Sequence, residues 1–448
     1  MPAAAARRAR APQPPARGKG ARRRGRASRA QPLEQRVLLT ATLCLLAFGA
    51  VMVYSASSAT SLLQGRGTGS AYLIKFLVYG AIGLVLMRVL ARDGLARVQG
   101  VIGPLLAVSF VLVLAVHVPH LGVSVNGARR WLGTGPLQFQ PSELLKLALL
   151  LYAATLLARR PERVHDLREL LNPLLVVVGG ACLLIATQPD LGTTMVIICT
   201  TVALLVTAGI PMRKLVLLAG ALVALVLLYA IVRPYARARL TSFMNPWAHA
   251  AGSGFQAVQG QIAIGSGGLF GAGPGESVQK IFYLPEAPTD FILAVIAEEL
   301  GAIGVCALLF LYGMIGYAGL SAARKARSSY SALMAVGLTS LILSQALLNI
   351  FAVLGMAPLT GVPLPFVSYG SSSLIVMLAA MGLLLNVAGG ASAHLRVVPA
   401  PRRRRVDARR REAPRWGGEL GAEEDRDRRR RDRGARRAGA GGGRGAAR

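Results

Sequence analysis

Ten apolar runs divide the chain, at 37–56, 71–91, 101–118, 142–158, 172–188, 191–209, 213–232, 290–319, 331–356 and 367–389. Each is about the length, roughly 17–25 residues, that crosses a hydrocarbon layer as a helix. The pattern predicts an all-α polytopic membrane protein with about ten transmembrane helices and a long external loop, 233–289, between helices 7 and 8. Only the short Gln188-Pro189-Asp190 turn separates the fifth and sixth runs, which leaves nine or eleven open. Local chemistry marks helix starts at Asn172-Pro173 and at Gln140-Pro141-Ser142-Glu143, where Pro suits the first helical position. No internal repeat stands out, which argues against a transporter built from inverted repeats.

Basic residues set the expected orientation. An even number of spans puts both termini on one side. Arg92 and Arg97, then Arg159, Arg160, Arg163 and Arg168, then Arg213 and Lys214, then Arg324, Lys325 and Arg327 then fall in loops on that same side. Short basic loops stay cytoplasmic. The glycine- and carboxylate-rich segments 57–70, 119–141, 188–190, 233–289 and 357–366 are therefore expected outside.

Composition changes the picture at the ends. The chain of 448 residues is 53% hydrophobic yet carries a formal charge of +31, and the tails 1–36 and 391–448 hold +10 and +11 of it. Basic tails can bind nucleic acid, but only Trp416 interrupts them as an aromatic and no DNA-binding motif is present. They read as disordered cytoplasmic arms resting on anionic lipid, with no nucleic acid expected. The membrane core is then 37–390. Cys44, Cys182, Cys199 and Cys306 sit in apolar runs without metal-ligand spacing and read as small core residues. A basic stretch of thirty-six residues precedes the first run, so it is expected to act as an uncleaved anchor.

Ionisable residues within spans are costly, and each is a functional candidate. Glu143 and Lys146 share a helix face and either neutralise each other or line a polar cavity with Asp290. Asp190 reads as the N-cap of the sixth helix. Gln345 and Asn349, four apart, are expected to bond a neighbouring helix. The stretch Gly265–Glu299 concentrates charge and backbone freedom. Gly265–Gly275 reads as a mobile external loop or a plain turn. Lys280, Glu286 and Asp290 follow within eleven residues, and Glu298 and Glu299 lie about 12 Å deeper along the helix as polar structure.

Three further segments carry candidate contacts for sugar or phosphate. Arg129 and Arg130, in Asn126-Gly127-Ala128-Arg129-Arg130-Trp131, could grip a phosphate or simply lie at lipid headgroups. Phe255, Val258 and Ile262 have amphipathic-helix spacing, with Gln256 and Gln259 on its surface. Pro363–Ser373 offers free hydroxyls and amides, among them Ser368 and Tyr369, although small residues also serve helix packing.

Together these segments resemble the SEDS family of peptidoglycan glycosyltransferases (FtsW, RodA, SpoVE). The matching blocks are VMVYSAS (51–57), NGARRW (126–131), QPSELLK (140–146), QPDLGT (188–193), GQIAIGSGGLFGAG (260–273), YLPEAPTDFILAVIAEELG (283–301) and PLPFVSYG (363–370). They run through essentially the whole membrane core and look more like the division branch than the elongation branch. The family usually has His where this chain has Pro288, and SYGGSS where this chain reads Ser368-Tyr369-Gly370-Ser371-Ser372-Ser373.

The resemblance implies polymerisation of lipid II at the outer face of the bacterial cytoplasmic membrane, at the division septum. Asp290 would be the general base, and transfer would invert the sugar carbon with departure of undecaprenyl pyrophosphate. One carboxylate and a set of cations suffice, because pyrophosphate leaves without protonation once its charge is neutralised. Arg129, Arg130 and Lys280 are the candidate cations. A divalent cation (Mg or Mn) could share that task, though no dedicated ligand cluster is visible. The implied partners are lipid II, the nascent lipid-linked glycan, membrane lipid, a class B penicillin-binding transpeptidase and other divisome membrane proteins. A lipid II flippase and an elongation-type polymerase are the alternative readings.

Overall fold

The structure is a computed structural model that describes residues 31–63, 69–125, 128–133, 138–159, 167–220, 231, 234–281 and 283–390. The tails, 1–30 and 391–448, the Asn126-Gly127 turn and part of the seventh run lie outside the described residues. Ten helices are labelled in chain order: α1 (Leu33–Leu63), α2 (Ala71–Ala115), α3 (Pro141–Arg159), α4 (Leu167–Ala186), α5 (Leu191–Thr207), α6 (Pro234–Met244), α7 (Phe255–Gly267), α8 (Ile292–Arg324), α9 (Ser329–Val353) and α10 (Ser371–Ala388). Among the described residues α1, α2, α3, α8, α9 and α10 are long and apolar enough to cross a membrane, and the shorter Pro173–Ala186 and Leu191–Thr207 are apolar as well. The protein is a multi-pass membrane protein. Its outer helix faces expose Leu77, Val85, Val111, Leu183, Phe310 and Tyr317, an apolar surface that only lipid or another apolar partner can cover. Cys44, Cys199 and Cys306 lie on such exposed faces and not in the core.

Helix α10 is the centre of the bundle. Every residue from Ser371 to Ala388 except the half-buried Ile375 is buried, as expected of a helix apolar all round. Helix α2 packs along it. Forty-five residues of straight helix would reach about 68 Å, over twice the hydrocarbon thickness. The second and third apolar runs are accordingly its two halves, divided at Asp93, which leaves helical geometry (φ −136°, ψ 19°). The break is held by one side chain of α10. Asn386 donates from Nδ2 to the carbonyls of Ala91 and Arg92 (both 2.9 Å) and accepts from Leu95 N–H at 3.3 Å.

Two expectations about helix starts divide. Pro141 does open α3, whereas α4 begins at Leu167 and runs through Pro173, earlier than the Asn172-Pro173 pair suggests. Asp190 caps α5, accepting from Thr193 N–H at 3.2 Å, and also takes a hydrogen bond from Gln140.

The fold is not purely helical. Within 119–141, strands β1 (Gly122–Val125) and β2 (Ala128–Leu132) form an antiparallel hairpin in which Val123 faces Trp131. Arg130 clamps it to the α4–α5 turn by donating to the carbonyls of Gln188 and Pro189. Nor is 233–289 simply a loop, because it holds α6, a short 3-10 turn at Trp247–His249 and α7. The buried stripe of α7 differs from the expected one: Val258 is buried, but Ile262 is exposed, and Gly260, Ala263 and Gly267 form the packed face. Small residues let helix backbones approach closely in a membrane. A Cβ on Gly267 would come within 1.9 Å of the Ala297 carbonyl oxygen.

The glycine-rich stretch after α7 is hydrogen-bonded to α8, which favours the turn over the mobile loop among its two readings. Helix α8 is interrupted at Gly301 (φ 65°, ψ −163°), and residues 267–273 fill the gap. Ala272 and Gly273 donate to the carbonyls of Glu298 and Glu299 at 2.8 and 3.1 Å. Ala302 and Ile303 donate to those of Gly268 and Leu269 at 3.0 and 3.3 Å. The loop thus supplies partners for backbone groups that lipid cannot satisfy. Gly301→Ala would place a Cβ 2.4 Å from the Leu269 carbonyl oxygen in a conformation other residues avoid. The expected cost is about 1–3 kcal/mol from backbone strain alone, read as a lower thermal midpoint of the detergent-purified protein. An unchanged midpoint would contradict this account of the break.

Candidate functional site

Asp290 stands two residues before α8, half-buried, where three segments meet. The first is its own turn, Pro285–Thr289. Thr289 Oγ1 donates to Asp290 Oδ1 at 3.0 Å and also lies 3.2 Å from a Glu286 carboxylate oxygen. Glu286 itself is exposed and held at φ 58°, the left-handed region that non-glycine residues rarely adopt. The second is the non-helical strap 357–370 between α9 and α10. Tyr369 N–H donates to the Pro288 carbonyl at 2.9 Å, and a Cβ on Gly361 would lie 3.8 Å from Asp290 Oδ2. The third is α6, which brings Arg239 to the site. Its guanidinium donates to the Leu359 carbonyl at 2.5 Å.

These neighbours set the carboxyl's acidity. Burial pushes Asp290 up to about 6, and the negative charge of Glu286 pushes the same way. The Thr289 hydroxyl, a backbone hydrogen bond and the positive charge of Arg239 pull it partly back. A carboxylate with a pKa near 6 is a stronger base than a free aspartate and is still ionised at neutral pH.

The strap is held from α9 and α10. Gln345 Nε2 donates to the Pro363 carbonyl at 2.9 Å and Ser373 Oγ at 3.1 Å. Asn349 Nδ2 donates to the carbonyls of Asp290 (2.7 Å) and Val362 (2.8 Å). Ser368 Oγ accepts from Leu364 N–H, and the Tyr369 ring meets Tyr72 edge-on at 5.1 Å. Pro288 enters this architecture through its carbonyl, a contact indifferent to the side chain at that position.

The other candidates from the sequence are distributed more widely. Glu143 and Lys146 form a buried ion pair at 2.9 Å, and Lys146 also donates to Gln345 Oε1 at 2.7 Å. Gln345 therefore links this pair to the strap beside Asp290. Gln256 donates to the Pro285 carbonyl at 3.1 Å, bracing the Asp290 turn, and Gln259 is half-buried on α7. Arg129 is exposed on β2, whereas Arg130 is half-buried and engaged with the α4–α5 turn. Lys280 is buried beneath. Its three ammonium donors meet Glu299 Oε1 (2.7 Å), the Gly275 carbonyl (2.7 Å) and Ser55 Oγ (3.2 Å), which leaves no N–H for a phosphate. Glu298 accepts from Ser277 Oγ and from Val278 N–H, the structural role expected for it.

Arg239 is the residue that reading the sequence passed over. Its signal was an arginine on a short helix inside a segment treated as loop, and nothing local tied it to Asp290. Among the described residues no group of three or more His, Cys, Asp or Glu gathers as a metal site.

Residues 35–392 match the model of the cell cycle protein family FtsW/RodA/SpoVE. The chain belongs to this family. Among FtsW/RodA/SpoVE relatives, it is 43% identical over 361 residues to the probable peptidoglycan glycosyltransferase FtsW of Coxiella burnetii, covering 78% of this chain and 95% of the relative. It is 39% identical over 356 residues to stage V sporulation protein E of Bacillus subtilis, covering 78% and 96%. Among solved structures it is similar to a chain of a peptidoglycan synthase complex that coordinates polymerization and crosslinking, with TM-score 0.64, 30% identity and coverage of 78% and 96%. It is also similar to the rod shape determining protein RodA of Thermus thermophilus, with TM-score 0.57, 31% identity and coverage of 80% and 97%.

Proposed function

We propose that this chain is a peptidoglycan glycosyltransferase that polymerises lipid II during septal wall synthesis, with Asp290 as general base. The observation that carries the reading is the Asp290 carboxyl itself, raised to about 6 and lying against the strap at Gly361. The family supports the substrate class, and the names of the FtsW relatives support the activity and the division role. The acceptor hydroxyl of the incoming disaccharide would give its proton to Asp290 as it attacks the anomeric carbon of the lipid-linked donor. The bond from that carbon to pyrophosphate breaks, and the sugar carbon is inverted in one displacement. Two carboxyl groups, as in inverting glycosidases, are unnecessary here because the departing group is already a weak base.

Cations must hold the departing pyrophosphate. Arg239, beside Asp290, joins Arg129 as a candidate, while Lys280 is left to the fold. A divalent cation would supply further charge neutralisation and would be held chiefly by the substrate's own phosphates, as magnesium commonly is. The remaining proposals follow from the same reading: termini inside, the Asp290 side facing outward, and a class B penicillin-binding transpeptidase as partner. The likeness to a chain of a synthase complex supports that partner.

The pH dependence tests the electrostatics. The base works only when deprotonated, so kcat should fall about tenfold per unit as pH drops below about 6. Glu286→Gln removes a charge that raises the Asp290 pKa, so the acid limb should move to lower pH. Arg239→Gln removes one that lowers it, so the limb should move to higher pH. Limbs that stay in place, or move in the opposite senses, would contradict the proposed surroundings of the base.

A further inference from the structure

We infer that Asn349 is a positioning residue for Asp290, setting the distance between its carboxyl and the strap backbone at Gly361; the inference rests on the proposed role of Asp290 as base. The two hydrogens of the Asn349 side-chain amide go to two carbonyls, 2.7 Å to Asp290 and 2.8 Å to Val362. Asp290 carries the carboxyl, and Val362 directly follows Gly361, where a Cβ would lie 3.8 Å from Asp290 Oδ2. One planar amide thus ties the Asp290 turn to the strap beside Gly361. Nothing else among the described hydrogen bonds joins the Asp290 carbonyl to the strap.

The orientation of the amide is fixed by its partners. Turned over, the amide would aim its oxygen at two carbonyl oxygens, so only the observed arrangement is favourable. In that arrangement Asn349 Oδ1 is buried without a hydrogen-bond partner, which disfavours the amide on stability grounds alone. Packing alone would be served better by Leu at this position, which is 2% exposed. The donors are therefore what the site uses. Gln345, one turn earlier on the same face of α9, holds the strap at Pro363 and does not touch Asp290, so it separates scaffold from positioning.

Loosening the carboxyl should affect turnover more than binding. A displacement near 1 Å at a reacting group costs about 10²-fold in rate. In purified full-length protein acting on lipid II, Asn349→Leu should lower kcat about 10²-fold with KM changed by less than about threefold. The groups facing Asp290, namely Glu286, Thr289 and Arg239, stay in place. The acid limb should nevertheless move to lower pH as the freed carboxyl hydrates. Asn349→Ser keeps one donor and should show the same kcat-selective loss at smaller size, which preserves the test if Asn349→Leu does not fold. Gln345→Leu should reduce the folded fraction without moving the acid limb.

Wild-type kcat and limb in folded Asn349→Leu or Asn349→Ser would overturn the inference. So would a loss confined to KM or to the folded fraction, or the same limb shift in Gln345→Leu. Polymer from Asp290→Asn at the wild-type rate would instead overturn the parent reading, so the two failures are distinguishable.

Discussion

Lys280→Ala is expected to remove folded protein before it removes chemistry. Lys280 and Glu299 are 4% and 1% exposed, joined at 2.7 Å, and Ser55 of α1 lies against both. Taking away the ammonium leaves a carboxylate buried with only a hydroxyl beside it. Breaking one side of a buried pair costs about 3–5 kcal/mol, a large part of the roughly 5–15 kcal/mol that holds a typical protein folded. The variant should therefore show sharply reduced yield and a lower thermal midpoint. Lys280→Met combined with Glu299→Gln leaves no unpaired charge and should recover most of the fold. If that double variant polymerises lipid II near the wild-type rate, the lysine belongs to the scaffold. A well-folded double variant without activity would return Lys280 to the pyrophosphate and contradict the reading of its three donors as fully engaged.

Asp290→Asn should behave in the opposite way, removing chemistry and leaving the fold. The side chain is similar in size, the backbone contacts to Asn349 and through Pro288 to Tyr369 do not involve the carboxylate, and Thr289 can still donate to the amide oxygen. What disappears is a group able to accept the acceptor hydroxyl's proton at neutral pH. General-base catalysis is worth about 10²–10⁴-fold, so polymer should fall by that factor with an unchanged thermal midpoint. Because burial disfavours the ionised form of Asp290, the variant should be as stable as wild type or slightly more so. Its stability gain over wild type should build as pH rises from the ordinary carboxylate range, where the unfolded aspartate ionises first, and be complete above about 6.

Most of the membrane core was legible because each span must satisfy its own backbone and cover itself with apolar side chains. That constraint writes long runs such as α9 and α10 directly into the sequence. Breaks in helices were less legible, since their causes lie far along the chain. Asp93 leaves helical geometry where Asn386 captures the freed carbonyls. Gly301 does so where residues 267–273 insert. Locally, glycine freedom announces a mobile loop and a tightly fitted turn with the same residues, so the sequence does not separate the two readings of the stretch after α7. The hairpin that holds Arg130 was hidden similarly, because its strands are short and lack a long alternating pattern.

The site divides along the same line. Asp290, Glu286 and the polar pair Gln345 and Asn349 stood out as charged or amide groups next to or within apolar runs. Their mutual geometry did not, because it depends on the strap 357–370 folding back over the start of α8. Arg239 was invisible for that reason, and Lys280 stands among the candidate cations because sequence cannot show that Glu299 lies beside it.

Synthesis of glycan polymer from purified lipid II, by wild-type protein and by Asp290→Asn matched for folded amount, tests the central claim most directly. The account predicts polymer from wild type, a 10²–10⁴-fold smaller amount or none from the variant, and equal thermal midpoints or a slightly higher one in the variant. Comparable glycan ladders from both proteins would contradict it.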